Sequence, residues 1–182
     1  MQRSTHLRRL LFVGVAAAML ASPTAQLAHA EPDAPTVPSK IAVDPGYKVF
    51  LIGHAVGVQI YSCNGASWTF VAPRANLYGD NGQLITTHFA GPRWQARDGS
   101  VALGSRVDGV TVDPTAIPWL LLSAKSEAGL DGDRLAGTKF IQRIATVGGI
   151  APPAADCNAG TAGAIEEVPY TADYVFWKAI DA

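Results

Sequence analysis

The sequence predicts an all-β domain, an antiparallel β-sandwich or barrel, with a long disulfide-pinned loop near the C-terminus. Short runs rich in β-branched and aromatic residues alternate with turn signals that recur roughly every ten to fifteen residues. No stretch of about a dozen residues has an apolar stripe with the period of a helix and is also free of Gly and Pro. Strands and helices do not alternate, which argues against a parallel sheet with crossover helices.

The first residues have the three-part pattern of a secretory signal peptide. Arg3, Arg8 and Arg9 form a basic start, Leu10–Leu20 is an apolar run, and Ala28–Ala30 offers the small residues of a cleavage site. The run is too short to span a bilayer. We therefore expect residues 1–30 to be removed and the protein to be secreted, either outside the cell or in its envelope.

The remainder divides into a short lead-in and one domain. Residues 31–40 contain three prolines without periodicity, which predicts a flexible lead-in. Residues 41–182 have a length that suits one β domain with a single core. Lys and Arg total 14 against 15 acidic residues, and no basic cluster is visible. This composition disfavours a nucleic-acid partner, and no membrane partner is expected after signal cleavage.

The first clear strands form a hairpin. Ala55–Cys63 alternates, with valines and Ile60 on one face and Gln59 and Tyr61 on the other, which is typical of a half-buried strand. A short Asn-Gly bend separates it from Ala66–Ala72. The spacing predicts two paired strands joined by a tight turn.

The later elements follow the same pattern. In Thr87–Ser100, a Gly-Pro bend and an Asp-Gly turn predict two strands and the turns that join them. Trp119–Ser126 is a continuous apolar strand, although a short helix at Ser123–Leu130 is an alternative. Two more predicted strands, and a long loop rich in Ala, Gly and Pro between them, complete the chain: Thr138–Gly149, Ala151–Val168 (the loop) and Tyr170–Trp177.

The two cysteines, Cys63 and Cys157, are expected to form a disulfide, because export favours oxidation of an even pair. The bond would pin the late loop to the first hairpin. The alternative is two free thiols, but neither cysteine begins a helix that would lower its pKa.

Motifs that bind common cofactors or metals are missing from the sequence. It has no nucleophile elbow, Walker loop, dinucleotide-binding glycine pattern, zincin motif or paired Cys-x-x-Cys. No cofactor and no metal site are therefore expected. His54 and His88, with an acid such as Asp98, leave a metal triad open, but the sequence favours histidines bonded to backbone carbonyls.

Three residues near the Gly-Pro bend are not explained by turn geometry and are the candidate ligand-binding residues: His88, Trp94 and Arg97. Trp94 beside Arg93 is suited to stacking on flat apolar or sugar ligands, although a structural role in capping one end of the barrel is the favoured interpretation. Arg93, Arg97 and Arg143 offer an anion clamp, although ion pairs with aspartates are the favoured interpretation.

These residues predict that the protein binds an extracellular small molecule or glycan through an aromatic-lined site. One alternative is an extracellular enzyme that uses His88 with Asp98 or Arg97 in acid-base or metal-assisted chemistry. The other is a cell-envelope interaction protein without a pocket. The sequence does not decide whether the protein is an enzyme.

Several segments resemble a family of secreted bacterial and fungal proteins of unknown function. The resemblance spans Tyr61–Trp177 and rests on the order of "YSCNG", "THFAGPRW", "IPWLLLSAKS" and "YTADYVFW". It implies the same cysteine pairing, because Cys63 and Cys157 occupy the paired places of the family. Some fungal members are automatically labelled malate dehydrogenase, but the chain has no glycine-rich phosphate loop and no βαβ framework to support that activity.

Overall fold

The computed structural model describes residues 32–180, which form a closed barrel of eight antiparallel strands. The predicted signal peptide lies outside the described residues. Each strand pairs with the next, and the last pairs with the first. The strands are β1 (Tyr47–Cys63), β2 (Trp68–Tyr78), β3 (Leu84–Phe89), β4 (Arg93–Ala96), β5 (Val101–Val110), β6 (Trp119–Glu127), β7 (Thr138–Gly148) and β8 (Ile165–Ala179).

The all-β prediction is confirmed, and of its two forms the structure is the barrel. Closure comes from the two longest strands, β1 and β8, which pair from Tyr47 opposite Ala179 to Ser62 opposite Ile165. A closed sheet leaves no unpaired edge strand. With eight strands, the interior is wide enough for packed side chains or one small ligand. Within the described residues, no helix has the length and apolar character needed to cross a membrane.

Side chains alternate between the inside and the outside of the barrel, and in the second half of β1 Gln59 and Tyr61 face inward. Gln59 and Tyr61 are buried, whereas Val56 is 59% exposed. The alternation of this strand was therefore predicted correctly, but the face that carries Gln59 is the inner one. The interior also holds a cluster of apolar and aromatic residues that includes Trp94, Tyr174 and Phe176.

The segment before β1 packs on the outer surface of the barrel. A 3-10 helix at Ser39–Ile41 buries Ile41 completely, in a cluster with Val175 and Trp177. Buried Gln142 fixes this contact, because its Nε2 donates to the Ile41 carbonyl at 2.7 Å. The Gln142 Oε1 also accepts from the Trp177 indole at 2.9 Å. Val37 of the lead-in packs against the same cluster.

The turns after even-numbered strands meet at one end of the barrel, here called the far end. Leu135, in the β6–β7 connection, is fully buried and belongs to the interior cluster. The Asp98 carboxylate joins this connection to the β4–β5 turn, since it accepts from the Ser100 amide and hydroxyl and from the Arg134 amide. Leu135 thus fills the far end of the barrel, and the hydrogen bonds of Asp98 connect the two turns at that end.

The turns after odd-numbered strands meet at the opposite, near end. Here the predicted disulfide between Cys63 and Cys157 is confirmed, and it joins the end of β1 to the β7–β8 connection. The Trp68 indole donates to the Pro153 carbonyl of the same connection at 3.2 Å. The predicted loop contains two short 3-10 helices and ends earlier than expected, because β8 already begins at Ile165.

The alternative of a short helix at Ser123–Leu130 is wrong. This segment continues β6, which pairs with β5 as far as Glu127 opposite Val101. It also pairs with β7, where Ser123 lies opposite Phe140. Pairing with β5 along most of this segment, and with β7 at Ser123, outweighs the weak helical preference of a few Ser, Ala and Lys residues.

Candidate ligand-binding cavity

A cavity of about 240 Å³ opens at the near end of the barrel. Its rim includes Phe70 and Val71 at the start of β2, and the β3–β4 turn at residues 90–92. Its wall is mostly apolar, with Leu120 and Leu122 of β6 among the lining residues. The polar groups that line it are these: Gln59, His88, Trp94, Arg106, Arg143 and Tyr174.

His88 and Trp94 form one wall of the cavity as a stacked pair. They lie opposite each other on β3 and β4, at equal distances from Gly91 in the turn. Their ring centroids are 4.2 Å apart and their planes differ by 7°. Trp94 is fully buried, and its ring edge also meets Tyr174 and Phe176. The pair is thus a rigid, flat surface beside the cavity.

Gly104 of β5 makes the space that the Trp94 ring occupies. A Cβ at this position would lie 3.0 Å from Trp94 Cζ3 and 3.0 Å from Leu122 Cδ2. Such distances are closer than ordinary van der Waals contact, so a side chain here would require the indole or the Leu122 side chain to shift by a few tenths of an ångström. The position of the flat wall therefore depends on a glycine in the neighbouring strand.

His88 is neutral at ordinary pH. Burial lowers the pKa of the imidazole to about 3, a hydrogen bond with the Arg93 carbonyl opposes the shift, and the charge of Arg143 adds to it. Nδ1 lies 3.0 Å from that carbonyl. In the neutral ring this contact places the proton on Nδ1 and leaves Nε2 as an acceptor. So low a pKa makes His88 a weak general base near pH 7.

Arg143 carries its charge toward the interior. It lies on β7, opposite Tyr174 of β8, and its Nε and Nη2 donate to the Pro118 carbonyl at 3.1 and 2.8 Å. Burial raises the pKa of Tyr174, and the nearby guanidinium opposes that shift. Among residues 32–180, no carboxylate forms an ion pair with Arg143.

The aspartates expected as arginine partners have other contacts. Asp108 pairs with Lys40, and Asp173 with His54. Asp98 accepts from backbone amides and from Ser100. The sequence favoured ion pairs between the arginines and these aspartates. Among the described residues, Arg143 forms no such ion pair.

The three predicted ligand-binding residues do not share one cavity. His88 and Trp94 lie together in its wall, but Arg97 is exposed in the β4–β5 turn at the far end, beside a separate surface depression. The structure brings the first two together and leaves the third apart. As a ligand-binding set the three remain a prediction.

The residues named for acid-base or metal chemistry are also apart. Asp98 lies at the far end, and the imidazole of His88 bonds to a carbonyl. His54 points outward between Asp173 and Asp80, at 2.7 and 2.9 Å. In the part of the chain that the structure describes, no group of three or more His, Cys, Asp or Glu residues is placed to hold a metal ion.

The pH dependence of stability is expected to fall when His88 is replaced by Phe. Between pH 6.5 and about 3 the unfolded chain binds a proton that the folded His88 does not. Wild-type stability should then fall with decreasing pH by up to about 1.4 kcal/mol per pH unit from this group. Urea unfolding from pH 7 to pH 4 should give a shallower decline for His88→Phe, and an equal slope in both proteins would contradict the burial of a neutral imidazole.

His54→Gln is the matched control with the opposite sign. Hydrogen bonds to Asp80 and Asp173 raise the pKa of His54. Its stabilising contribution is therefore present below the unfolded pKa and lost as pH rises through the folded pKa. The variant should lose more stability relative to wild type at pH 5.5 than at pH 8.5.

Sequence reasoning missed Gln59 and Tyr174 as residues of the cavity, and named Arg143 without placing it there. Gln59 is two positions from Tyr61 on the same strand face, so a single inward polar residue implied the other. Arg143 interrupts an apolar run, "FIQRIA", which is a signal of an inward charge in a barrel strand. Its pairing with Tyr174 depends on the register of β7 and β8 and is not visible in the sequence.

A family model described as "Protein of unknown function (DUF3455)" matches residues 44–178. No curated protein and no solved structure matches the chain. The matched span contains both cysteines and all the strands except the last residue of β8. It agrees with the resemblance seen in the sequence segments, and the chain therefore belongs to the DUF3455 family of proteins of unknown function.

Proposed function

We propose that this protein is a secreted binding protein that holds a small, largely apolar molecule inside the barrel. The observation that carries the proposal is the cavity, which is open at the near end, plugged at the far end and lined mainly by apolar side chains. An apolar pocket with a few converging polar groups is the usual form of a small-molecule site. Secretion is supported by the signal-peptide pattern and by the disulfide.

The chemistry of the wall favours binding over catalysis. The stacked rings of His88 and Trp94 make part of the cavity lining aromatic, which favours an apolar or aromatic ligand group. The low pKa of His88 makes this imidazole a weak general base for proton transfer in the cavity. A volume of about 240 Å³ is smaller than the roughly 300–1,000 Å³ of sites for drug-sized ligands, so the ligand is small. This cavity volume favours a compact small molecule over a long glycan chain.

The proposal is tested by calorimetric titration with a set of small aromatic and aliphatic compounds and short oligosaccharides. At least one apolar compound should bind, and Ala90→Trp should abolish its binding, because Ala90 is exposed on the rim and an indole there would fill the opening. The matched control is Leu130→Trp, at a fully exposed position of the β6–β7 connection at the far end. Binding that survives Ala90→Trp, or is lost equally in both variants, would place the ligand elsewhere.

A further inference from the structure

We propose that the ligand is a small apolar carboxylic acid, and that its carboxylate is bound by Arg143. This inference rests on the proposed function, since it requires that the cavity holds a ligand. It goes further by assigning the charge of the ligand and the residue that recognises it. The inference is based on two features of the cavity wall. The guanidinium of Arg143 has no carboxylate partner among the described residues, and buried hydrogen-bond donors of Gln59 and Trp94 lie in the same wall.

The first feature is the charge of Arg143. The side chain is only partly exposed, lines the cavity and donates to a neutral carbonyl, that of Pro118. Within residues 32–180 it has no carboxylate partner. Charges withdrawn from water are normally paired, because removing a charged group from water is unfavourable unless a partner compensates it. An anionic ligand would supply the missing partner.

The second feature is a pair of buried donors in the same wall. Gln59 is 2% exposed, and its Nε2 makes no hydrogen bond of ordinary length and angle, although the side chain interacts with the Tyr170 hydroxyl and partly offsets the rise in the pKa of that phenol that burial causes. The Trp94 indole nitrogen is also buried without a partner. Both residues line the cavity. Buried polar groups are almost always satisfied, so orphaned donors around one space indicate that an acceptor belongs there.

The same lining excludes other charge types. Asp and Glu are missing from the cavity wall, so a cationic ligand would find no counter-charge. Arg143 is the interior cation, while the second arginine of the lining, Arg106, is exposed and lies close to Asp108. A single interior charge matches a monoanion better than a phosphate dianion. The planar fork of arginine fits a carboxylate, and the apolar wall fits the rest of the molecule.

The test compares acids with their neutral amides, for example phenylacetate, cinnamate and hexanoate against the corresponding primary amides, by calorimetric titration at pH 7. Wild-type protein should bind at least one acid tenfold or more tightly than its amide. Arg143→Gln should abolish that preference, because glutamine can still donate to the Pro118 carbonyl but carries no charge. Arg143→Lys should keep part of it.

Thr146→Val is the structural control. The Thr146 hydroxyl donates to the Ile117 carbonyl, so this variant loosens the same connection that Arg143 holds, without removing charge. It should retain the preference for acids. Amides that bind as tightly as acids, or a loss of preference in Thr146→Val equal to that in Arg143→Gln, would overturn the role of Arg143 while leaving ligand binding in place. A protein that binds none of the acids or amides would count against both the inference and the proposed function.

Discussion

Replacing both Cys63 and Cys157 by alanine is expected to lower the free energy of unfolding by about 4 kcal/mol. The bond joins residues separated by 94 positions, so the cross-link removes many conformations from the unfolded chain. In the chain-entropy description this stabilisation grows with the length of the closed loop. Urea unfolding at pH 7 would measure it. The dependence of the free energy on urea should also steepen, because an uncross-linked unfolded chain exposes more surface.

The control for this experiment is the wild-type protein, reduced in denaturant and refolded with reductant present. It should unfold at the same urea concentration as the double variant, since the two proteins lack the same covalent link. Both sulfurs are buried in the folded state, so reduction without unfolding should be slow. A loss below about 1 kcal/mol would show that the native loop is strained by the bond, which would contradict the assignment of the disulfide as a major stabilising element.

Trp94→Ala is expected to destabilise the protein by about 3 to 5 kcal/mol. The indole is fully buried and contacts three rings, those of His88, Tyr174 and Phe176. Its removal leaves a cavity that the closed sheet cannot collapse around. Since its indole nitrogen has no partner, the loss is one of packing rather than of a hydrogen bond. Urea or thermal unfolding would measure the change.

Trp68→Ala serves as the matched control, because it removes the same type of side chain from the near end of the barrel, outside the interior cluster. Trp68 is only partly buried and has one hydrogen bond, to Pro153. We expect a loss of about 1 kcal/mol from that bond and its limited packing. Equal losses for the two tryptophans would mean that the interior cluster around Trp94 is not the main core of the barrel.

The strand content could be predicted from local sequence, but barrel closure could not. Alternation and turn residues act over a few positions, and they were sufficient to find the hairpin of β1 and β2. Closure depends on Tyr47 meeting Ala179, at opposite ends of the domain. No local pattern distinguishes that pairing from the open edges of a sandwich.

The orientation of β1 shows a second limit. A half-buried strand is expected to turn its valines to the core. Val56 faces solvent instead, and Gln59 faces inward, because the inner surface beside the cavity carries polar groups. Alternation specifies which residues share a face, but it does not specify which face points into the barrel.

The sequence predicted two of the residues in the cavity wall, His88 and Trp94, and their equal distances from the β3–β4 turn explain why. His88 and Trp94 are three positions either side of Gly91, so a hairpin centred there places them opposite each other. Arg97 lies beyond the end of β4, in the next turn, and the same symmetry carries it to the other end of the barrel. Arg143 and Gln59 reach the cavity from strands that are far away in sequence, and their meeting with His88 depends on strand register, which local sequence does not reveal.

The buried plug formed by Leu135 has a consequence for exchange kinetics. With the far end closed, a molecule held in the cavity must arrive and depart across the same rim of Phe70 and Val71. Widening that passage at a position that the bound molecule does not touch would accelerate both processes by one common factor and leave their ratio unchanged. Substitutions at the rim would then change the residence time of a bound molecule, whereas residues deeper in the cavity would determine its affinity.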